Sequence, residues 1–322
     1  MIAHGDRVRV FEQAVANYLG ATGGVACTSG TTALSLALKT LGIGAGDEVV
    51  LPSYVCWNVL SAVAASGATP RLCDVDDSGV ATVQTVRAVL SPQTRAIVAV
   101  HIFGHPCGID SISSLGLPVI EDACQAFGLE ISGRLAGTLG DLGVLSFHAT
   151  KCMTTGEGGM LVTSNARLLD CARSLVESVE QKNTAGAASM SDLQAALGLA
   201  QLERYPTFLD RRQQLFASYH QTACQLVTAF PGYLGKPPFL FRYTLRAQYG
   251  FESAQTALLA QGVQARRGVD ELLHRRLGLD DHDYPGATKL FSQVVSLPFY
   301  PSLTEQEHAQ VLRAIREVFY VA

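Results

Sequence analysis

The segment Leu145-Ser-Phe-His-Ala-Thr-Lys151 runs almost directly into Thr154-Thr-Gly-Glu-Gly-Gly-Met-Leu-Val-Thr163. An apolar strand pattern therefore ends in a hydroxyl, a histidine and a lysine, followed by a glycine-rich turn and a second apolar strand pattern. A lysine amine at a strand end, inside an apolar wall, can lose its water; this favours the neutral form and makes it a nucleophile toward carbonyl carbons. Lys151 is therefore the first candidate catalytic residue, although most lysines simply extend into solvent.

Short apolar segments alternate with helical patterns on the N-terminal side of this segment. Continuous apolar strands separated by helices are typical of a parallel sheet that is covered on both faces. We therefore predict an α/β fold whose large domain has a mainly parallel seven-stranded sheet flanked by helices. The predicted strands are 24–28, 48–51, 70–74, 96–100, 118–121, 144–147 and 160–163, and the early helices are 31–41, 55–65 and 83–90.

The pattern changes after residue 187. Ser189-Met-Ser-Asp192 resembles a capping box that begins a helix, and a longer polar helix is expected over 206–227. A strand over 239–246, a helix over 252–261 and a final helix capped by Thr304, with Glu307 three residues on, are expected beyond it. We predict a large domain over residues 1–204 and a smaller C-terminal α+β domain over 205–322.

The composition is that of a compact globular protein. Of the 322 residues, 48% are hydrophobic and 16% are charged, and the net charge of −4 offers no basic surface for nucleic acid or an anionic membrane. The sequence contains no apolar run of membrane-spanning length, and its N-terminus lacks the pattern of a signal peptide. We expect a cytoplasmic protein that binds neither nucleic acid nor a membrane.

The cysteines and histidines do not predict a metal site. The eight cysteines are scattered without a Cys-x-x-Cys pair, which is typical of reduced, buried thiols. Cys152 follows Lys151 directly but has no implied base, so we interpret it as a packing residue. His101 and His105 have a metal-like spacing, but Gly104 and Pro106 interrupt any helix that would align them, which favours packing histidines.

Two further segments suit an anionic ligand and a cationic one. Gly30-Thr-Thr-Ala33 opens an apolar helix after Ser29, and free amides there could hold a phosphate, although ordinary capping explains the pattern equally well. Glu121 and Asp122 end an apolar strand, and ligands of open parallel sheets bind at that edge.

A buried acid needs a cationic partner, because an isolated buried charge is costly. A protonated pyridine nitrogen would be such a partner; a helix cap or a salt bridge is the structural alternative. A phosphate site, an acid for a ring nitrogen, the hydroxyl of Ser146 and the amine of Lys151 are together the groups that pyridoxal 5'-phosphate requires.

With these residues in place, the sequence resembles the DegT/DnrJ/EryC1/StrS family, the sugar aminotransferases that use pyridoxal phosphate and have the PLP-transferase fold type I. The matching segments are collinear and span residues 5 to about 318. They are Ser29-Gly-Thr-Thr-Ala-Leu34, Gly44-Ala-Gly-Asp-Glu-Val-Val-Leu-Pro-Ser53, Val119-Ile-Glu-Asp-Ala123, Gly140-Asp-Leu-Gly143, Ser146-Phe-His-Ala-Thr-Lys151, Gly156-Glu-Gly-Gly-Met160, Met190-Ser-Asp-Leu-Gln-Ala-Ala-Leu-Gly-Leu-Ala-Gln-Leu202 and Ser296-Leu-Pro298.

The resemblance implies a role for each matching residue. It implies that Lys151 forms a Schiff base with the cofactor and moves the substrate proton, and that Asp122 pairs with the pyridinium nitrogen. Gln125 would lie against the ring or near its hydroxyl. The phosphate would be bound by the amides of Gly30 and Thr31 with the hydroxyl of Ser146.

Three positions depart from the family pattern. Where relatives have an aromatic residue stacked on the cofactor, this sequence has Cys56, with Tyr54 and Trp57 beside it. Many relatives have an asparagine that reaches the phosphate of the neighbouring subunit, with an arginine nearby. The matching positions of this sequence are Ala187 and Ser189. The first helical pattern also begins close to the start of the sequence, without a segment that helps to cover the substrate in relatives.

The resemblance implies a homodimer with active sites at the subunit interface. The expected reaction transfers an amino group from an amino acid, with glutamate as the first candidate. The acceptor is a nucleotide-linked keto-sugar or a related polyol ketone. One alternative is another pyridoxal phosphate reaction on the same scaffold, such as dehydration or amino-acid chemistry; Lys151 argues against dehydration, because relatives that dehydrate sugars have histidine there. The other is a catalytically retired homologue that regulates or binds.

Overall fold

A seven-stranded sheet forms the centre of the computed structural model, which describes residues 5–181, 189–224, 239 and 241–319. Its strand order is β1-β9-β8-β5-β4-β2-β3, and β9 alone runs antiparallel to its neighbours. The predicted mainly parallel seven-stranded sheet is thereby confirmed, with strand ends that differ from the prediction by two residues at most. The strands in chain order are β1 (Gly23–Cys27), β2 (Glu48–Pro52), β3 (Thr69–Cys73), β4 (Thr94–Val100), β5 (Val119–Asp122), β6 (Glu130–Ile131), β7 (Arg134–Leu135), β8 (Leu142–Ser146), β9 (Gly159–Thr163), β10 (Tyr243–Arg246), β11 (Arg266–Arg267) and β12 (Val294–Leu297).

Both faces of the large sheet are buried. Along β9, Leu161 packs into one hydrophobic core, whereas Met160 and Val162 pack into a second core on the opposite face. Alternate side chains of a strand point to opposite faces, so two separate cores explain why the strands are apolar without interruption. The helices that cover the sheet and form the C-terminal part are α1 (Arg7–Leu19), α2 (Gly30–Thr40), α3 (Trp57–Ala65), α4 (Val83–Arg87), α5 (Ile109–Ser113), α6 (Ala166–Gln181), α7 (Asp192–Ala223), α8 (Phe251–Ala260), α9 (Leu273–Arg276), α10 (Pro285–Gln293) and α11 (Glu305–Phe319).

Helix α7 differs from the prediction in its start and in its continuity. The capping box is formed by Ser191 and Gln194, which bond reciprocally, and not by Ser189 and Asp192. The expected separate helix from residue 206 is also wrong, because α7 continues through Pro206 for 32 residues. A proline removes one helical hydrogen bond, but α7 packs on α1 along its first part and on α11 along its second, and this packing overrides the local preference.

The C-terminal part contains a three-stranded antiparallel sheet in the order β10-β12-β11, with α8, α10 and α11 around it. The predicted helix 252–261 corresponds to α8, and the predicted capping of the last helix is confirmed by the hydrogen bonds between Thr304 and Glu307. The predicted domain boundary after residue 204 falls inside the continuous helix α7, and the division into two domains stays a prediction. No helix among the described residues is both long enough and apolar enough to cross a membrane.

Candidate active site

A cavity of about 360 Å³ opens at the carboxyl ends of the parallel strands. Asp122 is the last residue of β5 and Ser146 the last of β8, and both line the cavity. The loop after β2 and the segments before β10 and after β11 complete its wall. Because the carboxyl ends of parallel strands meet at one edge of a sheet, residues far apart in the sequence converge at this place.

Asp122 is buried against the cavity and has no cationic partner among the described residues. Its side chain is only 7% exposed, and Oδ1 accepts a hydrogen bond from the amide of Cys124 at 2.9 Å. Within the described residues, no nitrogen of a lysine, arginine or histidine lies within 4.0 Å of this carboxylate. Asp122 therefore closes a turn and forms no salt bridge with a described residue, and its carboxylate suits a cationic group of a ligand.

The neighbouring acid, Glu121, has a different role. Its carboxylate accepts hydrogen bonds from the amides of Gly137, Leu139 and Gly140, and it lies 2.9 Å from Nε2 of His101. Burial alone would raise the pKa of Glu121, but the hydrogen bonds from His101 and the amides outweigh it and hold the pKa below its ordinary value. Glu121 and His101 therefore fix the turn before β8.

The start of helix α2 offers unpaired amides to the cavity. Ser29 Oγ accepts the amide hydrogen of Thr32, whereas the amides of Gly30 and Thr31 have no acceptor among the residues that the structure covers. A Cβ atom at Gly30 would lie only 2.9 Å from Cβ of Ser146, so a side chain there would fill the gap between the helix and β8. This arrangement fits a phosphate held at a helix N-terminus.

Lys151 lies on the loop between β8 and β9 and is partly buried. Its Nζ is 4.9 Å from the ring centroid of Phe241, and no carboxylate in the described part of the chain lies within 4.0 Å of it. An amine without a counter-ion and a carboxylate without a cation thus share one cavity. The next residue, Cys152, stays a protonated thiol because burial raises its pKa, which agrees with a packing role.

The side-chain carbonyl oxygen of Gln125 accepts a hydrogen bond from the backbone. Oε1 accepts the amide hydrogen of Phe103 at 2.7 Å, and Phe103 has a left-handed backbone with φ of 57°. Holding a residue in that region costs about 1 to 3 kcal/mol, so Gln125 helps to stabilise this turn beside the cavity. Its amide nitrogen is then the part left for a ligand.

The three candidates for covering a cofactor ring have different surroundings. Tyr54 is fully buried behind the cavity wall, edge to face with Phe103, whereas Cys56 and Trp57 both line the cavity. Tyr54 is therefore not available to a ligand. Ala187 lies outside the described residues, and Ser189 pairs with Cys27 in an isolated β-bridge.

The C-terminal part contributes wall residues that the motifs did not identify. Phe241, Arg242, Arg266 and Asp270 line the cavity together with Lys151. The sequence did contain one signal, a single arginine inside the otherwise uncharged stretch from Phe239 to Leu245. An isolated cation in such a stretch indicates either a salt bridge or a ligand.

The comparisons with known proteins agree with this geometry. A family model described as the DegT/DnrJ/EryC1/StrS aminotransferase family matches residues 1–316. UDP-N-acetyl-3-dehydro-alpha-D-glucosamine 3-aminotransferase of Acidithiobacillus ferrooxidans is 32% identical over 331 residues, covering 98% of this chain and 89% of its own length. GDP-perosamine synthase of Caulobacter vibrioides is 34% identical over 332 residues, covering 96% of this chain and 89% of its own. The crystal structure of an aminotransferase from Psychrobacter cryohalolentis superimposes with a TM-score of 0.89 at 28% identity, covering 98% of this chain and 91% of that one.

Proposed function

This chain belongs to the DegT/DnrJ/EryC1/StrS aminotransferase family, and from this membership we propose that its cavity binds pyridoxal 5'-phosphate and transfers an amino group from glutamate to a nucleotide-linked keto-sugar. One relative is named for a UDP-linked dehydro-glucosamine and another for GDP-perosamine, which supports a nucleotide-linked acceptor. The observation that carries the proposal is the unpaired carboxylate of Asp122 in the same cavity as the unpaired amine of Lys151.

Each group of the cavity suits one part of this cofactor. When bound, pyridoxal phosphate supplies an aldehyde carbon and a protonated ring that accepts electrons from the substrate. The Asp122 carboxylate would hold the proton on the ring nitrogen. The amides of Gly30 and Thr31 and the hydroxyl of Ser146 would bind the phosphate.

The remaining residues act on the ring and on the substrate. Lys151 would hold the cofactor through its amine and would carry the proton to and from the substrate carbon. Cys56 would cover the ring, and Trp57, the only tryptophan of the chain, lines the cavity beside it. The amide nitrogen of Gln125 would help to orient the ring.

We also propose that the protein acts as a homodimer with active sites at the subunit interface. Helices α1 and α7 pack against each other and leave apolar side chains in solvent. Leu193 is 67% exposed and Leu197, one turn further along α7, is 42% exposed, with Val10 of α1 at 48%. Exposed apolar side chains on two packed helices are typical of a subunit contact.

Replacing Lys151 tests the proposed reaction. Because the neutral amine is the nucleophile and proton carrier, Lys151→Ala should abolish the absorbance band of the covalent lysine–cofactor link and the glutamate-dependent release of 2-oxoglutarate. The exposed Lys39→Ala is the matched control and should retain both. Quenching of Trp57 fluorescence on addition of pyridoxal phosphate reports binding without turnover. Full turnover in Lys151→Ala would overturn the assignment.

The same assay distinguishes the retired homologue. Such a protein would quench Trp57 fluorescence with pyridoxal phosphate but leave glutamate unchanged, so cofactor binding without release of 2-oxoglutarate by the wild-type protein would favour it.

A further inference from the structure

A guanidinium group and the lysine amine line the same cavity and lie near the same aromatic ring. Arg242 directly precedes β10, and its Cζ lies 5.5 Å from the ring centroid of Phe241. Nζ of Lys151 lies 4.9 Å from the centroid of the same ring. The two cationic groups are therefore neighbours across one aromatic side chain, and both line the cavity.

The orientation of this guanidinium is fixed from one side. Nη1 of Arg242 donates to the carbonyl oxygen of Gly268 at 2.9 Å and to that of Arg267 at 3.4 Å, and the ring of Phe103 lies 5.8 Å from Cζ. Nε and Nη2 have no acceptor among the described residues. These two nitrogens form the edge of a guanidinium that binds a carboxylate through two parallel hydrogen bonds.

Arg242 has no acidic partner among the side chains that the structure describes. No carboxylate oxygen of that set lies within 4.0 Å of its guanidinium group. Burial lowers the pKa of Arg242, and the charge of the exposed Asp270 offsets this only in part. Four other arginines of the C-terminal part each have a carboxylate oxygen within 4.0 Å, namely Arg246, Arg267, Arg275 and Arg276.

We propose that Arg242 binds the carboxylate that the amino-acid donor carries beside its nitrogen, an assignment that rests on the proposed function. In an α-amino acid this carboxylate is bonded to the carbon that bears the reacting nitrogen. It must therefore lie close to the place where Lys151 acts. The diphosphate of a nucleotide sugar is separated from the reacting carbonyl carbon by atoms of the sugar ring, whereas this carboxylate is one bond away from the reacting carbon.

The donor half-reaction of the holoenzyme measures this interaction. Arg242→Met should raise KM for L-glutamate at least about 10-fold, since a hydrogen-bonded charge pair is lost, and change kcat much less. Arg242→Lys keeps the charge but loses the fork and should give an intermediate KM. The exposed Arg87→Met is the matched control and should leave KM unchanged.

Equilibrium binding provides a second readout that does not depend on turnover. Trp57 lines the same cavity, so its fluorescence should report titration of the holoenzyme with glutarate and with inorganic pyrophosphate. Arg242→Met should weaken glutarate binding by about the same factor as KM rises and leave pyrophosphate binding unchanged. Thermal unfolding of the variant shows that any loss comes from the folded protein.

The outcomes separate the two proposals. If Arg242→Met loses pyrophosphate binding but retains glutarate binding, Arg242 binds a phosphate and the inference is overturned. An unchanged KM in Arg242→Met, with an active wild type, would overturn it as well while the proposed function stands. A wild-type holoenzyme that does not react with glutamate would contradict the proposed function itself.

Discussion

Two adjacent carboxylates, Glu121 and Asp122, have opposite surroundings. Successive side chains of a strand point to opposite faces, so one acid meets the amides of the turn before β8 and the other meets the cavity. Four hydrogen-bond donors satisfy Glu121, whereas the hydrogen bonds of Asp122 in the described part of the chain all come from Cys124, through its amide and its thiol. The acid with unused capacity is the one that can serve a ligand.

We predict different consequences for the two acids. Asp122→Asn removes the charge that holds the ring-nitrogen proton and should lower kcat of the glutamate half-reaction by roughly 10- to 100-fold, with little change in the free energy of unfolding. Glu121→Gln instead leaves part of a buried network unpaired and should lower the free energy of unfolding by about 1 to 3 kcal/mol. Denaturant unfolding measures the free energy of unfolding, and stopped-flow kinetics measures kcat of the half-reaction. Equal kinetic losses in the two variants would contradict the separate roles.

At the scale of elements, the site depends on the close approach of β9 to the start of α2. A Cβ atom at Gly159 would overlap the backbone carbonyl group of Ser29 and crowd the amide of Gly30. Backbone atoms cannot rotate away as the end of a flexible side chain can. The glycine at the first position of β9 therefore allows the helix start to lie where its amides reach the cavity.

Gly159→Ala should displace this helix start and weaken the binding of pyridoxal phosphate at least about 10-fold, because the phosphate contacts are charge-assisted hydrogen bonds. Titration of Trp57 fluorescence with the cofactor gives the Kd. Gly108→Ala is the matched control, since its added Cβ would meet nothing within 4 Å and the residue has no positive φ. An unchanged Kd in Gly159→Ala would show that the helix start tolerates the shift.

A series of hydrogen bonds attaches the loop after β2 to the C-terminal part. Oγ of Ser53 lies 2.6 Å from Nδ1 of His274, and Nε2 of His274 lies 3.0 Å from a carboxylate oxygen of Asp281. The Asp281 carboxylate accepts a hydrogen bond from Nε2, which leaves Nδ1 as the acceptor of the Ser53 hydroxyl, and Ser53 Oγ in turn accepts the amide hydrogen of His274. This chain of hydrogen bonds holds α9 against the segment that carries Cys56 and Trp57.

At the scale of the whole molecule, the cavity is built from both parts of the chain. Asp122, Ser146 and Lys151 come from the large sheet and its loops, whereas Phe241 and Arg242 come from the segment before β10. Helix α7 contacts α1 near its start and α11 near its end. A continuous helix of this length limits how far the two parts can move apart, which favours a cavity of stable shape.

The proposed homodimer predicts a mass of about twice the 34.3 kDa of one chain in sedimentation equilibrium. Leu193→Glu combined with Leu197→Glu places charges in the exposed apolar cluster on α7 and should shift the protein toward the monomer. Leu259→Glu on α8, where the leucine is 63% exposed, is the matched control and should leave the mass unchanged. A wild-type monomer at micromolar concentration would contradict the proposal.

Local patterns in the sequence were enough to predict the seven strands of the large sheet, the helix start at Gly30 and the position of Lys151 after an apolar strand. These features depend on neighbouring residues, so periodicity and motif spacing reveal them. Long-range packing, in contrast, buries Tyr54 away from the cavity, continues α7 through Pro206 and brings Arg242 and Lys151 to the same aromatic ring. Each of these depends on contacts between residues far apart in the chain, and the energy of long-range packing exceeds the local preferences that a sequence displays.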